Sequence, residues 1–187
     1  MLQDLDKTLE KLLKLELPAL FAPGSGTEVR ISFTTPDEES LAQKPVINLF
    51  LYEVRENMEL RNPGYSMERQ SNGSALKKLP PVRVDCSYLI TVWPADSSDA
   101  ETEHRLLGEV MKVLLRYPKI PAEVLQGSLQ GQQPPLRANT LRTSQLQSFG
   151  EFWQAMGGKP KATLNYTVTI SVEVWEAAEV VPLVMDK

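Results

Sequence analysis

With 187 residues and a 42% hydrophobic composition, the chain can bury a full core, and it reads as one domain spanning residues 1–187. Its formal net charge of -4, from 24 acidic and 20 basic residues, includes no Lys/Arg stripe suited to neutralising phosphates, which argues against nucleic acid as a partner. One cysteine, Cys86, cannot form an internal disulfide framework and points to a reducing, cytoplasmic compartment; no run of about 18 apolar residues exists to insert in a membrane.

Leu2, Leu5, Leu9, Leu12 and Leu13 recur at spacings of three and four, with Asp4, Asp6, Lys7, Glu10, Lys11 and Lys14 on the other face. This pattern predicts an amphipathic helix rather than a secretory signal, ending by Glu16 because Pro18 disfavours helical geometry at Leu17. A loop through Pro23, Gly24 and Gly26 follows. Val29, Ile31 and Phe33 alternate with polar residues as a short strand closed by Pro36, and Val46 to Val54 predicts a longer strand. Apolar groups on both faces of that second strand place it centrally in a sheet.

Residues 55–81 are rich in Arg, Asn, Gly, Ser and Pro, and read as a long polar insertion loop. From Val82 to Val92 the even positions are largely apolar, which predicts a strand ended by Pro94. Ser98 and Glu101 have capping-box spacing for a helix carrying Leu106, Leu107, Val110, Val113 and Leu114, terminated by Pro118. Pro121 to Gln126 reads as one further helical turn, and Leu136 to Arg142 as a short strand or irregular edge.

Ser148 to Met156 predicts a short helix with Phe149, Phe152, Trp153 and Met156 on one side and Gly157-Gly158 as its stop. Ala162 to Trp175 then alternates apolar and polar residues without a break. A strand of that length spans roughly 45 Å, so its end is expected to project beyond its own core and pair with a neighbouring subunit. The class is α+β: a largely antiparallel or mixed twisted sheet of four to six strands, packed by the N-terminal and central helices.

The inventory for catalysis is thin. His104 is the lone histidine and lies on the polar face of a helix, while Cys86 lies on the apolar side of a strand as an inert thiol. One His and one Cys cannot supply a structural zinc set, and Gly157-Gly158-Lys159 fails as a phosphate loop because Pro160 stands where Ser or Thr is required. Asp96, Asp99, Glu101 and Glu103 are accounted for by the start of a helix. No enzyme, cofactor, metal or small-molecule substrate is expected. Glu53, Arg55, Glu56, Asn57, Met58, Glu59, Leu60 and Arg61 differ in kind, because apolar groups among both signs of charge suit a contact surface. Trp153 joins them as a possible anchor, against a core role under its short helix.

Val46 to Tyr52 with Glu56-Asn57, Pro80-Pro81-Val82, Tyr88 to Trp93 and Leu107-Gly108-Glu109-Val110 form one half of a recognisable pattern. Tyr117-Pro118 with Ile120-Pro121, Gly150-Glu151-Phe152-Trp153 and Lys161 to Tyr166 complete it. From about residue 4 to residue 175 the chain resembles the N-terminal domain of cap, or tail terminator, proteins of extracellular contractile injection systems. The resemblance implies a non-enzymatic homo-hexameric ring that ends the inner tube, anchors the last sheath layer, assembles in the cytoplasm and leaves with the released particle. Some members look longer, and this chain ends soon after Pro182. A cytosolic adaptor or assembly chaperone that never joins the particle is the rival reading.

Overall fold

The computed structural model describes residues 1–22, 28–61, 64–69, 74–141, 149–157, 159–174 and 179–182; residues 66–69, 74–78, 149 and 179–182 are described by their backbone. In chain order the helices are α1 (Leu2–Glu16), α2 (Ala100–Arg116) and α3 (Phe149–Ala155). The strands are β1 (Arg30–Ser32), β2 (Val46–Glu56), β3 (Ser66–Arg69), β4 (Ser74–Lys78), β5 (Val82–Trp93), β6 (Arg137–Thr140), β7 (Leu164–Val172) and β8 (Glu179–Pro182). A five-stranded sheet runs in the order β1-β2-β5-β7-β6, with β1 parallel to β2 and every other pair antiparallel. This is the mixed, open α+β sheet expected, with β2 inside it.

The helical layer covers one face. Leu5, Leu9, Leu12 and Leu13 of α1 are fully buried beside Leu106, Val110, Val113 and Leu114 of α2, against Ile47, Leu49, Cys86, Tyr88, Ile90, Val92, Tyr166, Val168 and Ile170. Each leucine taken wholly from water contributes about 1.5–3 kcal/mol, so the three-and-four spacing of α1 orients the helix and holds it there. Tyr88 Oη donates a 2.8 Å hydrogen bond to Asp6 Oδ1, joining the polar edge of α1 to the sheet.

The N-terminal turn of α1 is pinned to the single helical turns Ala122–Val124 and Gly127–Leu129, of which the first was foreseen. Ser128 donates to Asp4 Oδ2 through its amide (3.2 Å) and hydroxyl (2.8 Å), and these bonds, with the nearby terminal ammonium, lower the Asp4 pKa from its ordinary 3.8 to about 2. Gly127 makes this approach possible: its φ is +51°, and a Cβ there would lie 2.4 Å from Asp4 Oδ1. Gly127→Ala is therefore expected to destabilise the fold by about 2 kcal/mol through strain and loss of the tether, read as a lower urea midpoint at unchanged slope.

Three local expectations are revised. The N-cap of α2 is Asp99, which accepts from Thr102 N at 2.9 Å; Ser98 instead donates through its amide and hydroxyl to Asp96 Oδ1. Residues 55–81 are not one loop, because β3 and β4 pair as an antiparallel hairpin that continues into β8 as a separate three-stranded sheet. The strand expected over Ala162 to Trp175 is β7 alone: its nine residues are matched by β5 over their whole length, which leaves no projecting end. The polar side of β7 is itself sheltered. Thr167, Thr169 and Ser171 are buried with Arg83, Asp85 and Ser87. The segments at Pro23, Gly24 and Gly26, Asn72-Gly73, Arg142, Ser148, Gly158 and Trp175 lie outside the described residues.

The two ends of the main sheet differ. Beside β6, the segment from Pro118 to Ile120 closes the outer edge: Ala138 N donates to Pro118 O (2.9 Å) and Ile120 N to Leu136 O (3.0 Å). On the opposite side β1 pairs with β2 only from Val46 to Asn48, and no described strand pairs with that edge of β2 further along.

Candidate assembly interface

The predicted contact residues occupy the end of β2 where the strand leaves the core. Val46 to Leu49 are buried, Phe50 to Glu53 half-buried, and Val54 to Glu56 exposed. A bulge decides which side chains point where. Leu51 pairs with Tyr88 and Glu53 with Ser87, so Tyr52 is an extra residue, and its hydroxyl donates to Asn165 Oδ1 at 3.3 Å. Before the bulge Ile47 and Leu49 belong to the helical side; uninterrupted alternation would carry Glu53 and Arg55 onto that same apolar face. The added residue reverses the phase, setting Glu53 opposite Ser87 and Arg55 opposite Asp85, on the polar side of the sheet.

That polar side is a ladder built in register. Arg83 faces Ser171 and donates to its hydroxyl at 2.7 Å; Asp85 faces Thr169 and accepts from it at 2.7 Å; Ser87 and Thr167 face each other with hydroxyls 3.1 Å apart. Gln132 clamps Ser171 by donating to its carbonyl (2.6 Å) and accepting from its amide (2.8 Å). Burial lowers the Arg83 pKa, Arg137 adds to the effect, and Asp85 opposes it.

Asn57 ties the contact segment to this ladder. Its amide donates to both Asp85 oxygens at 3.0 Å, its backbone N–H to Arg83 O at 2.8 Å, and its side-chain oxygen accepts from Leu60 N at 3.0 Å. The last bond caps the helical turn Met58–Leu60. The turn presents Met58 with 62% of its surface exposed, and Leu60, Val54 and Tyr65 are also exposed. Arg61 Nε lies 3.5 Å from Glu56 Oε1 and Arg55 Nε 3.9 Å from Glu53 Oε2, while Glu59 has no ionic partner among the described residues. The exposed Arg61–Glu56 pair is loose, holds little energy and re-pairs readily. A cavity of about 310 Å³ opens here, lined by Arg55, Glu56, Asn57, Met58, Glu59 and Asp85.

Trp153 does not belong to this surface. It is 2% exposed and packs with Leu41, Val46 and Trp93, while Phe152 stacks edge-on against it at 5.4 Å and reaches Phe50 at 6.3 Å. The core reading of the short helix holds, because α3 covers the apolar end of the second sheet face. Sequence reasoning missed Asp85 and Tyr65. The signal for Asp85 was present as matched polar alternation on β5 and β7, a pattern that permits cross-strand pairing as well as exposure. Elsewhere, His104 is exposed and Cys86 is buried with its thiol pushed up to about 12, chiefly by burial. Among the described residues no three His, Cys, Asp or Glu side chains converge as metal ligands, and no helix is long and apolar enough to cross a membrane.

The profile of the Pvc16 N-terminal domain matches residues 4–185. The chain belongs to the Pvc16 N-terminal domain family. Two solved structures are similar over nearly its whole length. One is the PVC sheath/tube terminator of an extracellular contractile injection system in its extended state, 24% identical with a TM-score of 0.66, covering 96% of this chain and 60% of that one. The other is the anti-feeding prophage cap, a tube-terminating cap, 25% identical with a TM-score of 0.67, covering 100% of this chain and 60% of that one. The chain thus spans 60% of the length of each of these caps. No curated protein matches it. The Pvc16 N-terminal fold is here a five-stranded mixed sheet under α1 and α2, with Glu53–Arg61 following the buried part of β2.

Proposed function

We propose that this chain is a structural terminator: a subunit of a six-fold ring that closes the inner tube of a contractile injection particle and anchors its terminal sheath layer. The observation that carries the reading is its likeness, across the entire chain, to a tube-terminating cap. A ring subunit requires a rigid sheet, a surface that meets a different surface on the next copy, and no catalytic centre. The Glu53–Arg61 segment supplies such a surface, with exposed Met58 and Leu60 among mixed charges and a conformation held by the Asn57–Asp85 bonds. The particle assembles in the cytoplasm and carries the ring when released.

Deleting the chain from a producing strain is expected to yield tubes of uncontrolled length with loosely held sheath in electron micrographs. Native mass spectrometry of the purified ring should find six 21.0 kDa copies. Particles of normal length and sheath attachment in the deletion strain overturn the proposal.

A further inference from the structure

We propose that the cavity at the Trp93 end of β5 binds a glutamate or aspartate side chain presented by another polypeptide chain, and that Glu38 holds the place of that carboxylate until it arrives. The cavity has a volume of about 520 Å³, and Lys44, Lys159 and Lys161 line it together with Glu38, Glu103 and His104. It lies at the far end of β5 from Glu53–Arg61, so it is separate from the contact surface described above.

First, two ammonium groups are held against one ring. Lys44 Nζ and Lys161 Nζ lie 5.3 and 4.9 Å from the centre of the buried Trp93 indole. Each of these lysine side chains is only 15% exposed. Like charges sheltered together repel, and an anion placed between them relieves the repulsion.

Second, their donors are not spent. An ammonium has three N–H donors. Lys161 gives one to Glu103 and Lys44 gives one to Glu38 Oε2 at 2.7 Å, and neither makes another hydrogen bond among the described residues. Lys159 makes no hydrogen bond or ion pair with any of them. The nearby acids at the start of α2 are engaged elsewhere, Asp96 by Ser98 and Asp99 by Thr102 N.

Third, the resident partner of Lys44 shows what the site accepts. Glu38 stands on the turn before β2 with its side chain 65% exposed, so the bond leaves the carboxylate largely in water while the ammonium is sheltered. Such a pair contributes about 0–1 kcal/mol, and a carboxylate that reaches Lys44 and Lys159 together displaces it. Pro160 and Ala162 also line the cavity and offer apolar surface to the methylene groups of an incoming side chain.

The test uses the full chain labelled with nitrogen-15 and two peptides of glycine and serine with blocked ends, one with a central pair of glutamates and the other with glutamines. The glutamate peptide is expected to shift the Trp93 indole N–H and the amides of Lys159, Lys161 and Ala162, and to bind about tenfold more tightly than its glutamine counterpart. Lys44→Gln and Lys159→Gln should each weaken it about threefold with the dispersed spectrum of the folded chain retained, whereas Glu38→Gln, which frees Lys44, should strengthen it about threefold. Equal binding of the two peptides, shifts centred elsewhere, or no shift at millimolar peptide each overturn the proposal. An affinity that Glu38→Gln leaves unchanged or lowers does so too. Glutarate or inorganic phosphate binding as tightly as the glutamate peptide assigns the cavity to a free anion and overturns it as well. None of these results touches the terminator reading, which fails only if particles lacking the chain are normal.

Discussion

On the proposed ring, replacing Met58 and Leu60 together with serine is expected to abolish assembly at working concentrations while the monomer keeps its fold. Neither residue belongs to the core: Met58 is 62% and Leu60 40% exposed, so truncation costs the isolated chain less than the loss of a core side chain does. In the proposed ring the contact buries what remains exposed of these side chains, and at about 1.5–3 kcal/mol for a whole side chain that is about 1 kcal/mol each. Losing both weakens each interface by about 2 kcal/mol, close to thirtyfold. A closed ring compounds the loss, because every copy enters two such contacts. The serines keep the turn polar and add no charge, so the result reports burial rather than repulsion. Light scattering and native mass spectrometry read the assembly, and circular-dichroism melting reads the fold. A double variant that forms rings at the wild-type concentration removes this surface from the interface.

Elements whose pattern answers to a single face were legible in the sequence. The spacing of Leu5, Leu9, Leu12 and Leu13 identifies α1 because only a helix brings those positions together, and the same holds for Leu106, Val110, Val113 and Leu114 of α2. Alternation located β5 and β7 for the same reason. What it does not specify is what the second face meets. Thr167, Thr169 and Ser171 look solvent-facing in one strand, and become a buried ladder once Asp85 and Arg83 stand opposite.

The contact segment was found by composition, but its geometry depends on Tyr52, whose role as the extra residue of a bulge follows from register with β5. The β3–β4 hairpin escaped notice because Ser66–Arg69 and Ser74–Lys78 lack apolar alternation; β8 escaped because its partner β4 is a hundred residues earlier in the fold's reading order only through long-range pairing. Trp153 illustrates the ambiguity of an aromatic beside a glycine stop: the fold of Leu41, Val46 and Trp93 around it made it core.

Asp85→Ala is expected to destabilise the folded chain by about 3 kcal/mol and to loosen the contact segment in the same step. The carboxylate is 3% exposed and accepts from Thr169 at 2.7 Å and from Asn57 at 3.0 Å on each oxygen. Alanine leaves those donors sheltered without an acceptor and deprives Arg83 of the charge that offsets its burial. Asp85→Asn keeps the shape and part of the bonding, so it should cost about half as much. Asn57→Ala removes both the cap on Met58–Leu60 and the link to Asp85, at about 1–2 kcal/mol. Because the two residues share bonds, the Asp85→Ala/Asn57→Ala double variant should fall short of the sum by at least about 1 kcal/mol in urea titrations. Additivity within about 0.3 kcal/mol means that the ladder and the contact segment are energetically separate, and that Asn57 does not transmit the rigidity of the sheet to the proposed contact surface.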